Sequence, residues 1–149
     1  MYVWKVSVIA LIGLWAGCSA SSLKANDPAQ DAKNLQGSWK LTRCIYDDEN
    51  LSDDARLTFD GDRYIMHVHG TDETSQFKLG TAGRNTIFVK HHENPFASKG
   101  FIGGTLTGIY QLSADQLRLC FDLTGQRYPK SFAASKGSRQ VVYEFVREK

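Results

Sequence analysis

The chain has 149 residues and a net charge of +2, with 42% hydrophobic and 11% aromatic residues. That length suits one domain with one core, and that composition excludes a disordered chain. Charges of both signs are interspersed, so no basic stripe marks a nucleic-acid surface, and the 13 glycines against 3 prolines favour short turns over long linkers.

Residues 1–17 stand apart. Lys5 precedes residues 6–17, an almost wholly apolar run that is short for a bilayer span and right for the core of an export signal. It ends in Leu14-Trp15-Ala16-Gly17-Cys18, followed by Ser19-Ala20-Ser21-Ser22. This resembles a bacterial lipobox, in which Cys18 becomes the lipidated first residue. Ala16 and Gly17 supply the small residues before the cut, while Trp15 stands where leucine is usual. The expectation is a lipoprotein of the cell envelope, held to a membrane by acyl chains that each contribute about 0.8 kcal/mol per buried CH2. Cleavage after Ala20, releasing a soluble secreted protein, is the alternative. Residues 18–34 then form a tether and a short helix, opened by Asp27-Pro28 as N-cap and first helical position.

From Gly37 onward the hydrophobic period is two. Predicted strands cover residues 38–46, 57–59, 64–69, 75–79, 86–91, 105–112, 117–122 and 141–147. Asp60-Gly61 is a tight-hairpin signal, because turns of that kind need positive φ. Residues 47–54 form an acidic loop expected to be solvated. It lacks the ligand spacing and turn glycine of a calcium loop. Eight short strands at hairpin spacing fit a sandwich or an up-and-down barrel. Sorting the connections by end favours the barrel, since the long ones (47–54, 92–104 and 124–138) share one mouth and short turns share the other. Strand one begins at that tight base with Trp39, and the last strand ends there with Arg147, whose guanidinium can stack on the indole for about 0.5–2 kcal/mol.

Several motifs occur in order: Leu35-Gln36-Gly37-Ser38-Trp39-Lys40, Leu57-Thr58-Phe59-Asp60-Gly61-Asp62-Arg63-Tyr64, Gly108-Ile109-Tyr110 and Leu117-Arg118-Leu119-Cys120-Phe121. Together they resemble an uncharacterised domain family of planctomycete bacteria, related in pattern to lipocalin-like domains by the Gly-x-Trp start. The resemblance covers most of residues 34–149. It implies an all-β, eight-stranded antiparallel up-and-down lipocalin-like barrel over residues 35–149, outside the cytoplasm. It supplies no activity, substrate or catalytic residue; only Gly37, Trp39 and Arg147 match the broader pattern, as a structural base.

An eight-stranded barrel can be filled by side chains or can hold one small ligand. Arg43, Tyr64, Met66, Tyr110, Phe121 and Tyr143 are the inward-facing ligand-binding candidates, an aromatic lining with polar tips that suits a small apolar molecule carrying one polar group. Arg43 demands a partner or a wet lumen if it faces inward, and a bulge would turn it out. His67 and His69 should face outward. With His91, His92 and Glu93 they outline a rim that could hold a metal, but a strand lies between the two groups, so no metal site is assigned. Residues 101–104 read as an apolar mouth loop. Cys44 and Cys120 fall on non-adjacent strands, favouring free thiols over a disulfide. No nucleophile has a base beside it, so neither a catalytic residue nor a cofactor is expected. Two readings remain beside small-molecule binding: a filled barrel serving as an envelope adhesion or scaffold module, and a metal-dependent activity at the histidine rim.

Overall fold

The structure is a computed structural model and describes residues 27–51, 54–81, 84–91 and 104–149. Cys18 and the export segment, His92, Glu93 and residues 101–103 lie outside the described residues. The described chain opens on helix α1 (Pro28–Leu35), whose first turn is capped by the Asp27 carboxylate accepting from the Ala29 amide at 3.0 Å. Strands β1 (Gly37–Tyr46), β2 (Glu49–Leu51), β3 (Ala55–Asp60), β4 (Arg63–Val68), β5 (Thr71–Leu79), β6 (Thr86–His91), β7 (Thr105–Leu112), β8 (Gln116–Asp122) and β9 (Gln140–Arg147) follow. Each of β3 to β8 pairs antiparallel with its successor, and β1 pairs with both β3 and β9, closing an eight-stranded up-and-down barrel. The remaining strand, β2, is a rim extension paired only with β1.

Alternation fills the interior. Leu57 and Phe59 of β3, Ile87 and Val89 of β6, Leu117, Leu119 and Phe121 of β8 and Phe145 of β9 are all buried in one cluster with Trp39 and Leu35. Closure leaves no long open edge, which is the physical advantage of a barrel over an open sheet of the same length.

Two local features depart from simple alternation. In β1 the register with β9 slips between Leu41, opposite Phe145, and Arg43, opposite Glu144. Thr42 is the extra residue of this bulge, and its hydroxyl donates to the Glu144 carbonyl at 2.9 Å. Inward parity therefore passes from Trp39 and Leu41 to Cys44, while Arg43 and Ile45 turn out. The expected inward position of Arg43 is thus corrected. The second departure lies at the hairpins. Asp47 and Asp48 both take positive φ (51° and 64°) and turn β1 directly into β2, where a solvated loop was expected. Their carboxylates accept the amides of Gly137 and Lys136, each at 3.0 Å, which holds the strained turn. At the β3–β4 turn, Asp60 pairs with Arg63, so the central residues are Gly61 and Asp62, and only Gly61 needs positive φ (62°).

The long connection 123–139 does not rise over the mouth as its length implied. It folds back along the outer wall, where Phe132 and Ala134 cover Cys120, Val142, Ile45 and Ile109 in a small second apolar cluster. Asp48 ties this strap down, donating its amide to the Ala134 carbonyl at 2.9 Å. Cys44 lies inside the barrel and Cys120 outside it, and neither is in a disulfide.

Candidate functional site

The lumen divides into a sealed base and a lined upper half. At the base α1 lies across the barrel end. The Trp39 indole, fully buried, donates to the Leu35 carbonyl at 2.8 Å. The Arg147 guanidinium sits 4.0 Å from the Trp39 ring centroid and donates to the carbonyls of Ala114 (2.9 Å), Gln36 (3.0 Å) and Asn34 (2.5 Å). Gly37, with φ of 105°, lets the chain swing from α1 into β1 beside that guanidinium. Gln36 clamps the β3–β4 turn through both its amide atoms, accepting from the Gly61 amide (2.8 Å) and donating to the Gly61 carbonyl (3.1 Å).

Tyr110 belongs to this base. Its hydroxyl donates to the Asp31 carboxylate at 2.7 Å, and both residues are buried. Burial first, and the Asp31 contact second, push the phenol pKa well above the ordinary tyrosine value. A hydroxyl already committed to a carboxylate is a poor ligand group, so Tyr110 is reassigned from the lining to the packing that pins α1.

Above the base an aromatic chain crosses the barrel. Phe77 meets Phe59 (centroids 4.9 Å), Phe59 meets Tyr64 (5.6 Å) and Tyr64 meets Phe121 on the opposite wall (6.3 Å). Phe121 continues to Tyr143 (6.5 Å) and Tyr143 to Phe145 (5.9 Å). All but the last are edge-on contacts, the arrangement that ring quadrupoles favour. Gly108 makes this possible. It pairs with Phe121, and a Cβ there would lie 2.6 Å from the Phe121 ring, so the ring occupies the space that a side chain on β7 would fill. The result is a floor.

Above the floor, the core-facing Cys44, Ala55, Leu106 and Leu123 stay buried, while Met66 and Val68 on β4, Tyr46 on β1, Leu51 on β2 and Tyr143 on β9 become half-buried. Tyr64 is 2% exposed, and among the described residues no hydrogen bond reaches its hydroxyl. Burial pushes its pKa far up, with a smaller push from the negative charge of Glu73. Glu73 was not anticipated. It stands opposite Met66 and shares the inward parity of Ser75 and Phe77 on β5. Solvent reaches the residue, yet partial burial already raises its carboxyl pKa above the usual glutamate value. Extending the period of Ser75 and Phe77 back by two residues lands on Glu73, but the polar run Thr71-Asp72-Glu73-Thr74 hides that period.

Of the six lining candidates, the structure brings Tyr64, Met66, Phe121 and Tyr143 together on the inner face, places Tyr110 at the base, and puts Arg43 outside. Arg43 donates to the Asn50 side chain (3.0 Å) and lies 3.9 Å from Glu144, an exposed pair of small energetic weight. His67 faces outward, 2.5 Å from the Asp72 carboxylate and 3.3 Å from the Thr58 hydroxyl. Among the described residues no three potential ligands converge on a metal position.

No family model matches the chain, and no curated protein does either. Among solved structures, a lipocalin-like protein from Bacteroides uniformis matches with a TM-score of 0.50 and 16% identity, over 77% of this chain and 99% of that one. An uncharacterized protein from Bacteroides eggerthii matches equally, at a TM-score of 0.50 and 16% identity, over 76% of this chain and 99% of its own. At that identity the likeness concerns the fold alone: the barrel is lipocalin-like.

Proposed function

We propose that this protein is a non-catalytic, membrane-anchored binding protein of the cell envelope that holds a small, largely apolar molecule in the upper half of its barrel. The observation that carries the reading is the contrast within the lumen. The base is closed by hydrogen-bonded polar groups, whereas on the same inward face above an aromatic floor Met66, Val68, Tyr46, Leu51 and Tyr143 become half-buried. A pocket with apolar walls and few polar groups is the usual form of a small-molecule site. The lipocalin-like fold supports the same reading. The lipobox-like residues around Cys18 would supply the anchor, and the resemblance of the serial motifs to planctomycete domains fits an extracytoplasmic bacterial setting.

Native mass spectrometry of protein taken from its own membranes tests the binding. The expected result is a bound small molecule that is lost when Met66→Trp fills the upper lumen. A folded wild-type protein that carries no bound mass and takes up none from a lipid and metabolite extract overturns it. For the anchor, Cys18→Ser should move the protein from the membrane fraction to the soluble one, and retention in the membrane overturns lipidation as its cause.

A further inference from the structure

The upper lumen carries a charge sign, and this narrows the ligand class. Cα pairing sets Tyr64 opposite Ser75 and Met66 opposite Glu73, so Tyr64 and Glu73 are diagonal neighbours on the inner face of the β4–β5 hairpin. Diagonal residues on one face of an antiparallel pair lie within reach of long side chains, at about 7–8 Å between backbones. An ionised glutamate only accepts hydrogen bonds, and a phenol can accept as well. No arginine or lysine opposes them from the described inner face, because Arg43 is turned out by the β1 bulge and Lys40, Lys78 and Lys90 are on the outward parity of their strands. Among the described residues Glu73 has neither an ion pair nor a hydrogen bond. The nearby rings of Tyr64, Phe121 and Tyr143 add negative π-faces, which attract cations.

We propose that Glu73 and the Tyr64 hydroxyl form a head-group site for a protonated amine, so that the barrel takes small aromatic or aliphatic amines in preference to acids or alcohols of the same shape. This rests on the binding reading above. Glu73 is itself exposed to solvent while Tyr64 beneath it is buried, so an ammonium held between the two is screened by water on one side only. The apolar body of the ligand would then lie against the half-buried Met66 and Tyr143.

Calorimetric titration with three matched probes tests this: 2-phenylethylamine, 2-phenylethanol and 3-phenylpropionate. The amine should bind at least about tenfold more tightly than either of the others, the ratio expected from one charge-assisted hydrogen bond. Glu73→Gln should remove that preference and leave binding of the alcohol unchanged. Tyr64→Phe, which keeps the ring of the floor, should weaken the amine several-fold. Equal binding of all three probes, or amine binding unaffected by Glu73→Gln, overturns the head-group assignment while leaving the binding function intact. Failure of every probe to bind wild-type protein, with Met66→Trp giving the same null titration, counts against both.

Discussion

The base and the upper half of this barrel are lined by the same kinds of residue, yet their polar groups behave in opposite ways. At the base the indole nitrogen of Trp39, the guanidinium of Arg147, the amide of Gln36 and the hydroxyl of Tyr110 all find partners within the fold. In the upper half the Tyr64 ring is packed into the floor by edge-on aromatic contacts, and the Glu73 carboxylate stands exposed to solvent. Satisfied buried groups hold a structure together, and unsatisfied ones cost stability unless something else completes them. The comparison assigns stability to one end and recognition to the other. It can be broken by showing that base substitutions impair binding selectively, or that upper substitutions unfold the protein.

The largest effect belongs to Trp39. Trp39→Ala empties the fully buried centre of the base and removes the donor to Leu35. The expected cost is about 3–5 kcal/mol, read as a fall in the denaturant midpoint with an unchanged slope. Arg147→Met comes next, since it keeps much of the stem's packing but strips three carbonyls of their donor and removes the stack on Trp39. About 2 kcal/mol should be lost, less than for Trp39 because solvent can reach part of this cluster. In the upper half, Gly108→Ala is the sharpest probe. The new methyl would meet the Phe121 ring and the Cys120 carbonyl at under 3 Å, so the floor has to shift, at about 1–3 kcal/mol. If the floor belongs to the binding half, this variant should also change probe affinity, whereas Arg147→Met should lower the midpoint and leave affinity intact.

Much of this arrangement was legible in the sequence. Eight strands could be counted from alternation, closure could be inferred from the sorting of loops, and the pairing of Trp39 with Arg147 follows from both lying at the same end on the inner face. Three features were not, each for a physical reason. The bulge at Thr42 adds one residue to β1 and reverses every side chain after it, and nothing in Leu41-Thr42-Arg43 distinguishes such a slip from regular alternation. The first half of β5 is Thr71-Asp72-Glu73-Thr74, which has the polarity of a loop. It is a strand because the tight His69-Gly70 turn, both residues at positive φ, delivers it directly onto β4. Glu73 was missed for that reason. Finally, Thr124 to Ser138 has the length of a mouth loop, but an irregular segment carries no period that could reveal which surface its Phe132 and Ala134 will cover.

That strap yields the smallest expected effect and the most local one. Cys120 lies under it, fully buried on the outer wall, with its thiol 3.8 Å from the Ala133 carbonyl and Arg118 stacked over Phe132 at 4.8 Å. Burial pushes the thiol pKa up to about 11. In the unfolded chain a cysteine ionises near about 8.5, so between there and pH 11 the unfolded state holds fewer protons than the folded one. Stability from this group is therefore complete below about pH 8.5 and declines as pH rises through that window, and Cys120→Ala should flatten the decline. The strap's tether is separable from its cover. Asp48→Gly removes the carboxylate that accepts the Lys136 amide, suits the positive φ of 64°, and leaves Phe132, Ala134 and the backbone bond to the Ala134 carbonyl in place. It should cost about 1 kcal/mol or less, the usual worth of one exposed hydrogen bond, yet raise the rate at which a maleimide labels Cys120 at pH 8 several-fold. Labelling of Cys44, inside the barrel, should stay as slow as in the wild type. Equal acceleration at both thiols would mean that the strap opens only when the whole barrel does, and the division between an independent outer cover and an inner lumen would then fail.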